Sequence, residues 1–268
     1  MNTEEAGFRR RVWAHFRAHG RHDLPWRKTQ DPYRILVSEV MLQQTQVDRV
    51  IPFYTKFIKT FPTARKLAQA PLSEVLKLWQ GLGYNRRAKM LHQAVKSVAA
   101  RGMPRDAQGL EDLPGVGPYT ARAVAAFAYN QDSIVIETNI RTAVIQHFFP
   151  KKEKVSDTEI EKILTRTLPK GRAREWYGAL MDYGAYLKRS GVSHNARGAG
   201  HTKQSKFPGS LREARGAVLR ELAEGPALRA RLVSVLGPER REQMIRALED
   251  LIAEGLVRLK RNRYSFPD

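Results

Sequence analysis

Leu113-Pro114-Gly115-Val116-Gly117-Pro118-Tyr119-Thr120-Ala121 lies between two helical stretches, and its reading decides the fold. Two glycines around one apolar residue let the backbone turn tightly, and Pro118 suits the first turn of the next helix. Backbone N–H groups at such a helix start face outward and can take a phosphate oxygen. An ordinary helix–helix turn is the plainer reading, because a glycine pair alone says little. Charge tips the balance toward phosphate: the 268 residues include 47 Lys and Arg against 27 Asp and Glu, a net +20. Each phosphate neutralised by such a side chain releases a condensed counterion, so the excess points to a polyanionic partner. Charge by itself would also suit RNA, an anionic membrane or a merely solvated surface.

Helical spacing extends outward on both sides of this stretch. Phe8–His19 ends at Gly20; a helix begins near Tyr33, the pattern shifts near Pro52, and a second helix closes at Pro62. Ser73–Trp79, Arg86–Ala100, Pro118–Tyr129, Asp157–Thr167 and Ala173–Lys188 follow. Ile134–Ile136 has strand-like composition, but an isolated strand among helices would have no partner. Residues 189–207 hold little to bury and read as a basic linker or DNA-facing loop. Leu211–Glu224, Leu228–Leu236 and Glu239–Glu254, then two short strands around Lys260–Arg263, make a winged-helix pattern whose third helix would be the reading element. The expected fold class is all-α.

Composition also excludes. Without cysteine there is no disulfide, thiolate zinc site or cysteine-held iron–sulfur cluster. Seven scattered histidines show no ligand spacing, so no catalytic metal is implied. No run of 18 apolar residues and no signal-like start is present, so a soluble intracellular protein, cytoplasmic or nucleoid-associated, is expected with no membrane partner. No heptad or apolar stripe asks for a dimer, and a monomer is expected. Glu39 is a single acid within the apolar run Ile35–Leu42. A desolvated carboxyl holds its proton to higher pH and can act as a general acid near neutrality. A capping or surface role is the alternative, which its apolar neighbours disfavour.

Read in order, Leu24-Pro25-Trp26-Arg27, Asp31-Pro32-Tyr33, Ser38-Glu39-Val40-Met41-Leu42-Gln43-Gln44-Thr45, Gly81-Leu82-Gly83-Tyr84 and the hairpin resemble the MutY family. These are adenine glycosylases of the helix-hairpin-helix superfamily, and the likeness spans about Phe8–Leu187. It implies a two-module helix-hairpin-helix glycosylase fold, to which the helix and strand pattern near the C-terminus adds a winged-helix-like domain. Its modules would be residues 1–27 with 134–190 and residues 28–133, followed by a linker at 191–208 and the last domain at 209–268. It further implies double-stranded DNA bearing a mispaired or damaged base, flipped and removed, with adenine opposite 8-oxoguanine or guanine as the first expectation. Glu39 would protonate the adenine ring, while Gly115, Gly117 and Thr120 hold the DNA backbone. Gln43, Gln44 and Tyr84 would wedge into the stack and fill the gap. Trp26, Arg27, Leu42 and Asp182 would line the pocket. The plainer alternatives are a solvated helix end for the glutamines and core packing for Tyr84 and Trp26. Tyr119 stands where strand-cleaving relatives carry a lysine that forms a Schiff base. Tyrosine cannot form one, so base removal that leaves the strand intact is expected.

Three departures qualify the likeness. Glu137, in Ile136-Glu137-Thr138-Asn139-Ile140-Arg141, stands where the family has the aspartate that stabilises the sugar cation. It keeps the charge but extends it by a methylene, and a misplacement near 1 Å can cost on the order of 10²-fold. Catalysis by Glu137 with Asn139 orienting it is one reading; capping the helix that Thr138 begins is the other. The family's iron–sulfur cluster is gone, and Lys188, Arg189, Arg197, Lys203 and Lys206 are expected near phosphates instead, or else in a plain linker. The family's 8-oxoguanine-recognition domain is also missing. Lys260, Arg261, Asn262 and Arg263 of the winged-helix-like domain could enter a groove, bind protein or brace the body. Removal of a pyrimidine from a G mismatch, a catalytically silent DNA binder and a strand-cleaving lyase are the competing functions. No cofactor is implied, although a monovalent cation on the hairpin carbonyls is compatible.

Overall fold

The computed structural model describes residues 2–198 and 206–268, and among these are fourteen α-helices and one two-stranded antiparallel sheet. No helix among the described residues is long and apolar enough to cross a membrane. The chain forms two compact units. One comprises Met1–Glu39, Pro104–Asp112 and Val116–Lys203; the other Val40–Met103, Leu113–Gly115 and Gln204–Asp268.

The first unit holds α1 (Thr3–His19), most of α2 (Pro32–Leu42), α7 (Ala107–Glu111), α8 (Pro118–Tyr129), α9 (Thr138–Phe148), α10 (Asp157–Thr167) and α11 (Ala173–Arg189). Asn2 and Glu5 form a capping box that starts α1, and Arg166 of α10 binds the Glu5 carboxylate at 2.6 Å. Phe8, Val12, Ile140, Val144, Ile160, Leu164, Trp176 and Leu180 fill the core. Side chains of this kind contribute roughly 1.5–3 kcal/mol each when buried. The buried alanines of α8, from Ala121 to Ala128, let neighbouring backbones come close.

Asp182 on α11 ties the N-terminal segment to this core. It is 2 % exposed and accepts four hydrogen bonds. Arg27 meets it as a fork, at 2.6 and 3.0 Å, while Arg21 contributes its Nε at 2.6 Å and its backbone N–H at 2.9 Å. Burial pushes the carboxyl up, but the two guanidiniums and the backbone donor bring it to a net position below the usual range.

The second unit contains α3 (Val47–Thr60), α4 (Ala64–Gln69), α5 (Leu72–Trp79), α6 (Arg86–Arg101), α12 (Leu211–Glu224), α13 (Arg229–Ser234), α14 (Arg241–Ala253), β1 (Arg258–Lys260) and β2 (Arg263–Ser265). Val50, Tyr54, Phe57, Leu67, Leu76, Trp79 and Leu91 are buried in the helices up to α6. Val218, Leu222, Leu232, Met244, Leu248 and Leu251 are buried in the last three. Lys89 of α6 donates to the Glu254 carbonyl at 2.5 Å, and Arg215 pairs with the Glu254 carboxylate at 2.6 Å. These contacts draw the C-terminal helices onto α6. The hairpin turns through Arg261 and Asn262, both with positive φ (48° and 62°).

Several expectations change. The helix break near Pro52 lies earlier, at Gln44 with φ 57°, and Pro52 falls inside α3. α4 and α7 were not expected, being one or two turns long with little periodicity to read. Ile134–Ile136, by contrast, forms no strand, as its lack of a partner led one to expect. In these compact units α8 lies in the first, packed on α7 and α11, and the C-terminal helices lie with residues 40–103, where Lys89 of α6 meets the Glu254 carbonyl.

Replacing Asp182 with Ala leaves Arg27 and Arg21 without their buried acceptor, which typically costs about 3–5 kcal/mol. Chemical denaturation at pH 7 should show a loss of that size. The Asp182 contribution is present above its unfolded pKa and lost as pH falls through the lower folded value, so the mutant and wild-type curves should converge in acid.

Candidate active site and wedge loop

The catalytic candidates lie in the first unit. Asp31 starts α2 by accepting the Tyr33 N–H at 2.9 Å, and Ile35, Leu36, Val37, Val40 and Met41 bury the helix. Glu39 is therefore only 7 % exposed, and Tyr119 on α8 donates its hydroxyl to Glu39 Oε2 at 3.2 Å. Burial raises the Glu39 carboxyl to about 7; the Tyr119 hydrogen bond opposes this, and the Glu137 charge adds to it. The Tyr119 hydroxyl is itself pushed well up by burial and by the charges of Glu39 and Glu137. An acid poised this way can donate a proton at neutral pH.

Of the two roles weighed for Glu137 from the sequence, the helix cap is the one its contacts show. Its Oε1 accepts the N–H groups of Asn139 and Ile140, each at 2.8 Å, so it caps α9. Oε2 accepts from the Asn139 amide and the Thr138 hydroxyl, both at 3.2 Å. These four hydrogen bonds fix the carboxylate in place at the helix N-terminus. The start of α9 is itself held by Gly184 of α11, where a Cβ would overlap the Asn139 carbonyl. Lys188 also feels the Glu137 charge; burial lowers its pKa and Glu137 partly restores it.

Trp26 is half-buried in the turn Pro25–Arg27. Arg27 and Asp182 are brought together, but bound to each other, so both position the turn. Gly117 precedes α8 in extended backbone (φ −91°, ψ 175°) with Pro118 in the first turn, and Thr120 is buried. Gly115 and Gly117 are both exposed.

The wedge candidates lie in the second unit, at the end of α2 and beyond α5. Leu42 and Gln43 are half-buried, and Gln44 is exposed in a left-handed conformation. Tyr84 also takes positive φ, 49°. One side chain missed by sequence reasoning organises both: Arg87. It donates to the carbonyls of Val40 (2.7 Å), Met41 (3.1 Å), Gln43 (2.6 Å) and Gly83 (3.2 Å), and to the Thr45 hydroxyl (3.3 Å). Its guanidinium lies 5.6 Å from the Trp79 ring centroid and 5.4 Å from that of Tyr84. Burial lowers its pKa to about 10. The run Arg86-Arg87 gave no clue that one arginine turns inward to satisfy a helix end. Gly115, with φ 74°, belongs to this unit, where a Cβ would overlap Met90.

The basic segment differs from expectation. Arg197 does not face outward: it donates to the carbonyls of Phe149 and Lys152, while its own carbonyl accepts the Val155 N–H at 2.9 Å. His194 hydrogen bonds Gln146 Oε1 at 2.6 Å. A segment with no thiolate, its cation and imidazole bound to backbone and amide, does not fit an iron–sulfur cluster. Among the described residues no group of three or more His, Asp or Glu could hold a metal. Lys206 is exposed, as is Arg261 at the hairpin turn; Lys203 lies outside the described residues.

Residues 37–170 match the HhH-GPD superfamily of base excision DNA repair proteins. An adenine DNA glycosylase of Mycolicibacterium smegmatis is 38% identical over 263 residues, covering 89% of this chain and 89% of that protein. The Mycobacterium tuberculosis adenine DNA glycosylase is 36% identical over 271 residues, covering 91% of this chain and 89% of its own. A solved thermostable thymine-DNA glycosylase superposes with a TM-score of 0.63 at 29% identity, over 69% of this chain and 87% of that one.

Two substitutions test this geometry. Tyr119→Phe removes a donor that favours the Glu39 carboxylate, so the alkaline limb of any Glu39-dependent pH–rate profile should move to higher pH. Gly184→Ala should displace the first turn of α9 and lower the single-turnover rate by about 10²-fold, on the scale of a 1 Å misplacement. DNA affinity, measured by anisotropy, should change little.

Proposed function

The chain belongs to the HhH-GPD superfamily of base excision DNA repair proteins, and we propose that it is a monofunctional DNA glycosylase acting on adenine opposite 8-oxoguanine or guanine. The observation that carries this reading is Glu39, buried on α2 with the Tyr119 hydroxyl 3.2 Å from its Oε2, where burial raises its carboxyl. Flipping the base costs a few kcal/mol of stacking and pairing, which the wedge side chains partly restore. Glu39 then gives its proton to the purine ring as the glycosidic bond breaks, so the base departs neutral. Positive charge grows on the sugar, and the fixed Glu137 carboxylate stabilises it. Water adds its hydroxyl to the anomeric carbon, and its remaining proton restores Glu39. No amine takes part, since Tyr119 stands at that position, and the product is an abasic site in an unbroken strand. The protein would act as a monomer on duplex DNA, without a cofactor; a monovalent cation on the hairpin carbonyls is the one ion this reading admits.

The thymine-DNA glycosylase neighbour supports a second reading, removal of a pyrimidine from a G mismatch. Single-turnover assays separate the two, using A:8-oxoG, A:G, T:G and U:G duplexes with and without hot alkali. Strand breaks in the adenine duplexes only after alkali are expected. Breaks without alkali, or a borohydride-trapped adduct, would overturn the monofunctional reading, and release of thymine or uracil alone would overturn adenine.

Glu39→Gln should abolish release while leaving binding intact. It should also stabilise the protein. The folded wild type keeps a proton that the unfolded chain loses between pH 4.5 and about 7, so its stability falls as pH rises through that window. A neutral Gln avoids the fall, a gain of up to about 3 kcal/mol at pH 8 by denaturation.

A further inference from the structure

We propose that the outer edge of β1, centred on Leu259, docks an extended acidic segment of another protein as an added strand.

Backbone geometry leaves this edge open. Arg261 and Asn262 form the two-residue turn of the hairpin with positive φ at both positions, the type I′ arrangement. Lys260 and Arg263 flank that turn as a hydrogen-bonded pair, so Leu259 and Tyr264 make the next, non-hydrogen-bonded pair. Tyr264 agrees: its N–H and carbonyl bond Ala227 at 2.8 and 3.0 Å, on the side away from β1. The N–H and carbonyl of Leu259 therefore point outward from the hairpin. Among the described residues no strand or bridge lies on that side of β1.

Side chains mark the same edge. Directly opposed residues share a face, so Leu259 stands beside Tyr264. Tyr264 is 8 % exposed, yet Leu259 leaves 54 % of its surface in water. Sheets commonly protect a free edge by keeping it short and charged. β1 is both, but the residue at its centre is a leucine. From Arg258 to Arg263 there are four cations and no acid, and Lys260, Arg261 and Arg263 are exposed. Arg258 shows that a carboxylate fits this surface. It donates to Asp268 at 2.8 Å, and this bond, with the charges of Arg258 and Lys260, holds the Asp268 carboxyl below the usual range.

Charge and hydrogen-bonding pattern select the occupant. A second copy of the chain would set four cations against four, so like charges oppose pairing of two β1 edges. Phosphate oxygens suit the cations but only accept, which leaves the Leu259 carbonyl without a donor. A peptide strand offers both an N–H and a carbonyl along one edge. Its alternating side chains would set an apolar residue against Leu259 and acids on the other face, where Arg258 and Lys260 lie.

The test titrates the full chain into a fluorescein-labelled heptapeptide of alternating Glu and Val, read by anisotropy. Binding that weakens with added salt is expected. N-methylation of the valines removes their N–H donors while keeping charge and bulk, and should lower affinity about tenfold or more. Leu259→Ala should weaken the unmodified peptide about fivefold. Lys260→Glu should weaken it about threefold or more at low salt. Both variants should keep the wild-type melting temperature, and Leu259→Ala should bind duplex DNA as wild type does. Equal binding of the N-methylated peptide, unchanged affinity in Leu259→Ala, or no binding of either peptide at millimolar concentration would overturn the proposal. A loss of DNA affinity in Leu259→Ala matching the loss for peptide would overturn it too, and would assign the hairpin to a DNA groove.

Discussion

Glu39 is held out of water on a helix whose only other charge is Arg34, and this desolvation is the constraint to which the catalytic chemistry answers. Keeping a carboxyl near neutrality means the folded state carries a penalty of a few kcal/mol at alkaline pH, drawn from the packing of α2. Tyr119 limits the penalty by donating to the charged form, and Glu137 increases it from its fixed place on α9. The acids thus divide the work. On the proposed reading the first gives a proton, while the second is held in place by the helix N–H groups of Asn139 and Ile140.

α2 links this chemistry to the wedge. Glu39 lies near its end, and the chain reverses only five residues later at Gln44. An interrupted helix leaves carbonyls without donors; here Arg87 supplies them. The same guanidinium faces Tyr84, so the loop that would enter the DNA and the last turn of the catalytic helix have one common fastening.

The helical class and the motif residues were legible because they are local: periodicity, a Gly-Val-Gly turn and an acid in an apolar run. Glu39 could be picked out because a charge inside Ile35–Leu42 has no plain excuse. What could not be read was long-range partnership. Nothing near Arg87 says that its donors face Val40 and Gln43, nothing near Gly184 announces Asn139, and Arg27 and Asp182 are 155 positions apart. Basic composition misled most. Arg197 has the look of a phosphate ligand, yet its geometry commits it to backbone carbonyls.

That last arrangement bears on when the protein can be made and kept. A segment closed by Arg197, His194 and ordinary carbonyls draws nothing from a cell's iron or sulfide supply. It has no thiolate for peroxide to attack, and the chain has no cysteine anywhere. A closure of guanidinium and peptide oxygen is assembled by folding alone.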